Sequence, residues 1–326
     1  AELAHVESGQ KDVESRLVEG EGPSCIAASR AAAGNTGRRL YLGHTQTVAV
    51  SAALARNGME QVLDYLSRQH DMPLSLALVV SREDTAAKLL ETPPVTEILA
   101  GYEIAMRASE EGQQGPYMPF YQFYSEVQEK GIDPYLPAVA AGEEGTLSQG
   151  AALFQESRLV GFLDEEETDT LLMLRGKKPS GAITVLRSQE EGGNVTFTLD
   201  TCRLTLHTAL TPQGQVQGAL SLRAEVMVSE LEGDQPLLSQ EGHRQLESLC
   251  SAELTQRGQA LLQKLQKEFA CDPLGLGLDL SRRQPTEWEQ IKDQWYTFFS
   301  QADLDLSVQV QVTGTGRMYL PAARAN

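Results

Sequence analysis

Two runs of alternating residues set the tightest limit on what this chain can fold into. In NVTFTLDTCRLTLHTAL, Val195, Phe197 and Leu199 hold one set of alternate positions, and Cys202, Leu204 and Leu206 hold the other. Successive strand side chains point to opposite faces, so the change of phase at Asp200-Thr201 requires a bulge or bend there. TPQGQ then makes a turn, and Val216, Leu220, Leu222, Val226 and Val228 return as an antiparallel partner with one buried face. A long helix is expected from about Ser239 to Phe269, with Leu246, Leu249, Cys250, Leu254, Leu261, Leu262, Leu265 and Phe269 along one stripe. The final segment LDLSVQVQV alternates from Leu304 to Val312 and reads as a half-buried strand.

The N-terminal part follows a different rhythm. Leu40 to Val50 is rich in strand formers with apolar groups on both faces, which suits a buried strand. A helix is expected from about Ser51 and broken at Asn57-Gly58, followed by a second from Met59 to about Arg68. PLSLALVVS is a second strand, and EDTAAKLLE a short helix stopped by Pro93-Pro94. Strand, helix, strand, helix makes a βαβ unit with a parallel pair. A further helix is expected from Pro23 to about Ala33. After about Gln113 the texture turns rich in Pro, Gly and aromatics, like a connection, and GAALFQESRLVGFLDEEETDTLLMLRG looks like a hairpin feeding a helix. The fold class expected is α+β in three mixed α/β domains. These are an N-terminal βαβ-containing domain over 1–112, a small middle domain or connection over 113–176, and a C-terminal domain over 177–326. The last combines an antiparallel sheet with long helices.

Composition removes several function classes. Among 326 residues, 45 acids face 27 bases, a formal net charge of -18. A body this acidic repels phosphate backbones, so no nucleic-acid partner is expected. Cys25, Cys202, Cys250 and Cys271 are far apart with no C-x-x-C, which reads as free thiols while leaving a disulfide open. No apolar run reaches the roughly 18 residues that span a bilayer. AELAHVESGQKDVESRL has neither a basic n-region nor an apolar h-region. It opens in mid-pattern, which points to trimming past an export signal.

The stretch CDPLGLGLDLSRRQPTEWEQIKDQW, from Cys271 to Trp295, poses the question of chemistry. A P-loop needs G-x-x-x-x-G-K-[ST] between strand and helix. Here Gly275 and Gly277 follow a helix, no lysine comes after them, and the third glycine of a dinucleotide loop is missing. Arg282 and Arg283 could receive a carboxylate from within the protein or from a partner. Thr286 with Glu289 has capping-box spacing behind Pro285, and Trp288, Ile291, Trp295 and Phe299 share one helical face, as core. No catalytic set is visible. The five histidines are scattered, and His44 reads as a buried histidine satisfied by backbone. Asp164 to Glu167 stand where a helix begins and complement its dipole. No cofactor or metal is expected.

Several blocks, in order, carry a resemblance. They are Arg39-Leu40-Tyr41-Leu42-Gly43-His44-Thr45, then Gly58 with Leu63-Asp64, then Gly150-Ala151-Ala152-Leu153-Phe154 with Leu159-Val160-Gly161. Asp272-Pro273-Leu274-Gly275-Leu276-Gly277 with Pro285, Trp288 and Trp295 completes them. From about Glu19 to Val312 the chain resembles the Ger(x)C family, the C subunit of the nutrient germinant receptors of endospore-forming bacteria. The resemblance implies a non-enzymatic lipoprotein of three domains, held by an N-terminal, palmitate-type lipid anchor outside the spore inner membrane. It also implies two partners, the integral-membrane A and B subunits. Gly43, His44, Gly161, Gly277, Pro285 and Trp288 are the structural or interface residues carried over, Gly277 as a residue whose substitution by valine disturbs folding if its φ is positive. The competing reading is an extracytoplasmic solute-binding protein that captures the germinant in the crevice of the βαβ unit. A wall hydrolase built on Glu143-Glu144 or Asp164 to Glu167 lacks an acid/base context.

Overall fold

The computed structural model describes residues 1–6, 13–36, 40–109, 116–179, 181–187, 193–232 and 240–314. Arg39 of the first resemblance block, the boundary near Gln113 and the expected helix start at Ser239 lie outside them. The chain divides into two compact units, Ala1–Glu165 and Glu166–Asn326.

The first unit opens with an antiparallel pair, β1 (Glu2–Val6) and β2 (Val13–Leu17), and helix α1 (Cys25–Thr36). The βαβ unit then forms as its pattern dictates: β3 (Thr47–Ser51), α2 (Ala52–Asn57), α3 (Glu60–Arg68) and β4 (Ala77–Ser81), with β3 and β4 parallel. Ser51 caps α2 by accepting the Leu54 N–H at 3.3 Å, and Gly58 ends it at φ 113°, which a side chain would resist. The strand expected from Leu40 is shorter than its apolar pattern. Gly43 and His44 form a turn closed by Thr45 N–H to the Leu42 carbonyl at 3.0 Å, and Tyr41 is 70% exposed.

After α4 (Ala87–Glu91) and α5 (Ala100–Arg107), the Pro- and aromatic-rich stretch yields α6 (Phe120–Gln128) and β5 (Tyr135–Ala141), which pairs parallel with β4. β6 (Thr146–Gln155) and β7 (Arg158–Leu163) add the hairpin, giving a five-stranded sheet in the order β3-β4-β5-β6-β7. Leu78, Val79 and Val80 of β4 are wholly buried, as an uninterrupted apolar run demands when both faces of a central strand are covered.

The second unit begins with α7 (Glu165–Leu174) and β8 (Ala182–Val185). β9 (Val195–Leu210) and β10 (Val216–Leu231) form the long antiparallel ribbon. Thr201 pairs with Glu225 and Leu199 with Val226, so Asp200 is the extra residue that the change of phase required. α8 (Gln240–Lys264) buries Leu246, Cys250, Leu254, Leu261 and Leu262, and passes into a π-helical turn over Leu265–Phe269. Then come α9 (Leu276–Arg283), α10 (Pro285–Ile291), α11 (Trp295–Gln301) and β11 (Asp303–Gly314). The sheet order is β11-β10-β9-β8, and β11 runs parallel to β10, the rest being antiparallel. The buried amide of Gln266 donates to the carbonyls of Phe299 (2.8 Å) and Ala302 (2.9 Å), tying the end of α11 to the π turn.

Candidate functional site

The glycine loop of the C-terminal signature is a cradle for an anion, and the anion is the protein's own. Asp272 is wholly buried. One carboxylate oxygen accepts the N–H groups of Gly275 (2.9 Å) and Leu276 (3.1 Å), and the other accepts Gly277 N–H (2.9 Å) and the Trp295 indole N–H (3.2 Å). Helix N-termini expose unpaired N–H groups beside the positive end of a dipole, and a side-chain carboxylate satisfies both demands. Gly275 sits at φ 77° as the residue before α9, the left-handed bend that turns three successive amides onto Asp272. The positive φ therefore belongs to Gly275; Gly277 is a residue of the helix whose amide reaches the carboxylate. Arg175 closes the loop from outside by donating to the Pro273 carbonyl at 2.9 Å.

Around this node the other C-terminal candidates assemble. Trp288 and Trp295 meet edge to face at 5.3 Å, and Trp295 meets Phe299 at 6.2 Å. Pro285 is the first residue of α10 with Gln284 before it as the cap position, so Thr286 lies inside the helix and the Thr286/Glu289 capping box does not form. Pro285 has no N–H to satisfy, which is why the helix starts there without a side-chain cap. Arg283 receives the carboxylate of Asp279 at 2.8 Å and donates to the Leu206 carbonyl. Asp279 and Gln284 in turn accept the β9 amides of Thr208 and Leu210, each at 2.7 Å.

In the first unit Gly43 and His44 form the turn before β3. His44 is exposed, stacked edge to face on Tyr41 at 5.4 Å, so the buried histidine expected there is corrected by a turn that lifts the ring to the surface. Gly161 lies in β7 opposite Leu153, next to an irregularity of register. Sequence reasoning passed over Glu103. This buried residue of α5 accepts Val95 N–H (2.6 Å) and Thr96 N–H (3.1 Å) on one oxygen and Thr146 N–H (2.9 Å) on the other. Burial pushes its pKa up, but the amides of Thr146, Thr96 and Val95 and the nearby Arg107 prevail and hold it below the ordinary carboxylate value. The clue was one acid in an otherwise apolar helical stretch.

The first unit also holds a cavity of about 430 Å³, lined mainly by apolar side chains that include Val48, Val50, Leu54, Tyr65 and Met72, with Asp84 the one charged residue in its wall. It lies against the βαβ unit, where β3 ends and α2 begins, with Cys25 of α1 also in its wall. Among the described residues no three His, Cys, Asp or Glu side chains converge to hold a metal ion. The acids at the start of α7 serve structure: Glu166 pairs with Arg257 at 3.2 Å and Glu167 with Lys264 at 2.6 Å, both on α8.

These features define a class: an α+β protein of two units whose most deeply buried carboxylates hold its own backbone. Comparison with known proteins makes the class specific. Residues 2–141 match the spore germination protein N-terminal domain, and residues 149–316 match the spore germination B3/GerAC-like C-terminal domain. Spore germination protein B3 of Bacillus subtilis (strain 168) is 22% identical over 85% of this chain and 75% of its own length. Spore germination protein KC of the same organism is 21% identical over 91% and 78%. The crystal structure of the GerBC protein shares the fold, with a TM-score of 0.67 at 19% identity over 96% of this chain and 92% of that one. The chain belongs to the Ger(x)C family of spore germination proteins.

Proposed function

We propose that this chain is a non-enzymatic, lipid-anchored subunit of a spore germinant receptor, required for nutrient-triggered germination through assembly with the integral-membrane A and B subunits. The observation that carries the reading is the match of both parts of the chain, in order, to spore germination domains. The use of Glu103 and Asp272 as backbone acceptors agrees with a role in docking and coupling, since neither is left available for proton transfer. The reading includes an N-terminal lipid and a position on the outer face of the spore inner membrane. A net charge of -18 keeps the body off an anionic lipid surface and presents it to proteins. The test is a pull-down of the full-length lipoprotein from spore membranes in mild detergent, with captured proteins identified by mass spectrometry. Recovery of the two membrane subunits is expected; recovery of the protein alone, under conditions that preserve such complexes, contradicts the reading.

A second reading, direct capture of a small germinant, draws on the cavity in the βαβ unit. Calorimetric titration of the chain with candidate nutrients tests it, and the absence of heat at every nutrient removes it.

A further inference from the structure

The ladder between β3 and β4 has a fixed phase. Ala77 N–H donates to the Gln46 carbonyl at 2.8 Å, and the register pairs Thr47 with Ala77 through to Ser51 with Ser81. In a parallel pair this alternation turns the N–H and C=O of Val48 and Val50 toward β4, and those of Thr47 and Ala49, with the Ser51 N–H, the other way. β3 is the first strand of its sheet, and no described residue hydrogen-bonds any of these outward groups. The cavity is lined by Val48, Ala49, Val50 and Ser51 in succession. Val48 and Val50 belong to one face, while Ala49 packs on the opposite one with the buried cluster of Ala77, Val79, Leu89 and Ile104. The cavity therefore meets β3 along its open edge.

We propose that the outer edge of β3 is a strand-addition site that takes up an extended segment of a partner protein, free of acidic residues, with one apolar side chain entering the cavity. Backbone groups repeating every second residue, about 6.6 Å apart, are met by another extended backbone; a free amino acid spans one of them. Charge decides the composition. Asp84 is exposed in the cavity wall, Lys88 beside it is engaged by Glu83 at 2.8 Å, and the whole chain carries -18. The same charge opposes a second copy as the occupant. The inference goes beyond receptor membership, because it holds whichever protein supplies the strand.

The test uses the full chain labelled for NMR and the heptapeptide acetyl-Lys-Val-Thr-Val-Thr-Val-Lys-amide, alongside the same peptide N-methylated at alternate residues. The expected result is amide exchange slowed at least about tenfold at Thr47, Ala49 and Ser51 by the first peptide and unaltered by the second. Ala49→Pro removes an outward N–H without touching the bonds to β4 and abolishes the effect. Should that variant fail to fold, Leu54→Glu, which places a charge at the cavity wall, abolishes it instead. Equal binding of the methylated peptide marks a side-chain pocket only and overturns the proposal. So does unaltered exchange at saturating peptide, or a doubled sedimentation mass showing that copies of the chain occupy the edge.

Discussion

The two sheets treat their edges differently. In the second unit β8 pairs only with Val195 to Thr198 of β9, and beyond it Asp279, Arg283 and Gln284 at the end of α9 reach the open backbone groups of β9, while Ser251 and Glu247 of α8 reach the Val308 carbonyl (2.8 Å) and the Val312 N–H (3.0 Å) of the outer strand β11. Exposed strand edges are templates for unwanted pairing, and side chains that cap them remove the hazard. In the first unit, β3 carries outward backbone groups beside a cavity with no comparable guard among the described residues. Side chains therefore guard part of the edges in the second unit, whereas no described side chain does so along β3, a difference expected of a protein that associates through one part of its surface.

The contrast can be broken most forcefully at Asp272. Asp272→Ala removes the carboxylate that four buried donors share and is expected to destabilise the second unit by about 3–5 kcal/mol in urea unfolding, while the first unit keeps its own transition. Loss of both transitions together would show that the units do not behave separately. Asp272→Asn keeps some acceptors and costs less.

Glu103→Ala is the counterpart in the first unit, with an expected cost of about 2–4 kcal/mol. Its pH dependence sharpens the comparison. The folded pKa of Glu103 lies below its ordinary 4.5, so its contribution is complete above that value and is lost as pH falls through the folded pKa. Glu103→Gln is expected to flatten the acid-side decline of the first unit only. An unchanged acid limb would mean that other carboxylates govern it.

Smaller in free energy is removal of the edge guard. The double variant Asp279→Ala and Gln284→Ala uncovers Thr208 and Leu210, with a cost of about 1–2 kcal/mol and a gain in self-association measurable by light scattering. The smallest effect is chemical. Burial pushes the Cys202 thiol up to about 11 and the Cys250 thiol up to about 12, and Cys202 also donates to the Lys177 carbonyl at 3.1 Å. Iodoacetamide at pH 8 is expected to label Cys25 first and to spare Cys250 and Cys271, read by peptide mass mapping.

Features set by local periodicity were legible from the residues alone. The bulge at Asp200, the breaks at Gly58 and Pro93-Pro94 and the hairpin before α7 each follow from spacing of side chains over a few positions. Capping was harder. The Thr286/Glu289 spacing suggested a box, but Pro285 had already started the helix, and the anion that the Gly275–Gly277 amides require was Asp272, three residues before the first glycine. The open edge of β3 could not be read at all. Which strand stands outermost depends on pairings between residues as distant as Val80 and Ala138, and β5 comes from a stretch whose prolines and glycines resemble a connection. Glu103 was missed in part for the same reason, since Thr146, which occupies its second oxygen, is 43 positions away.

Amide hydrogen exchange on the full chain, without any partner, tests the contrast between the guarded stretch of β9 and the open edge of β3 most directly. The account predicts that Ala49 exchanges far faster than Val48 and Val50 on either side of it, while Thr208 and Leu210 are protected by Asp279 and Gln284. Equal protection at Ala49 and its neighbours, or fast exchange at Thr208 and Leu210, would contradict it.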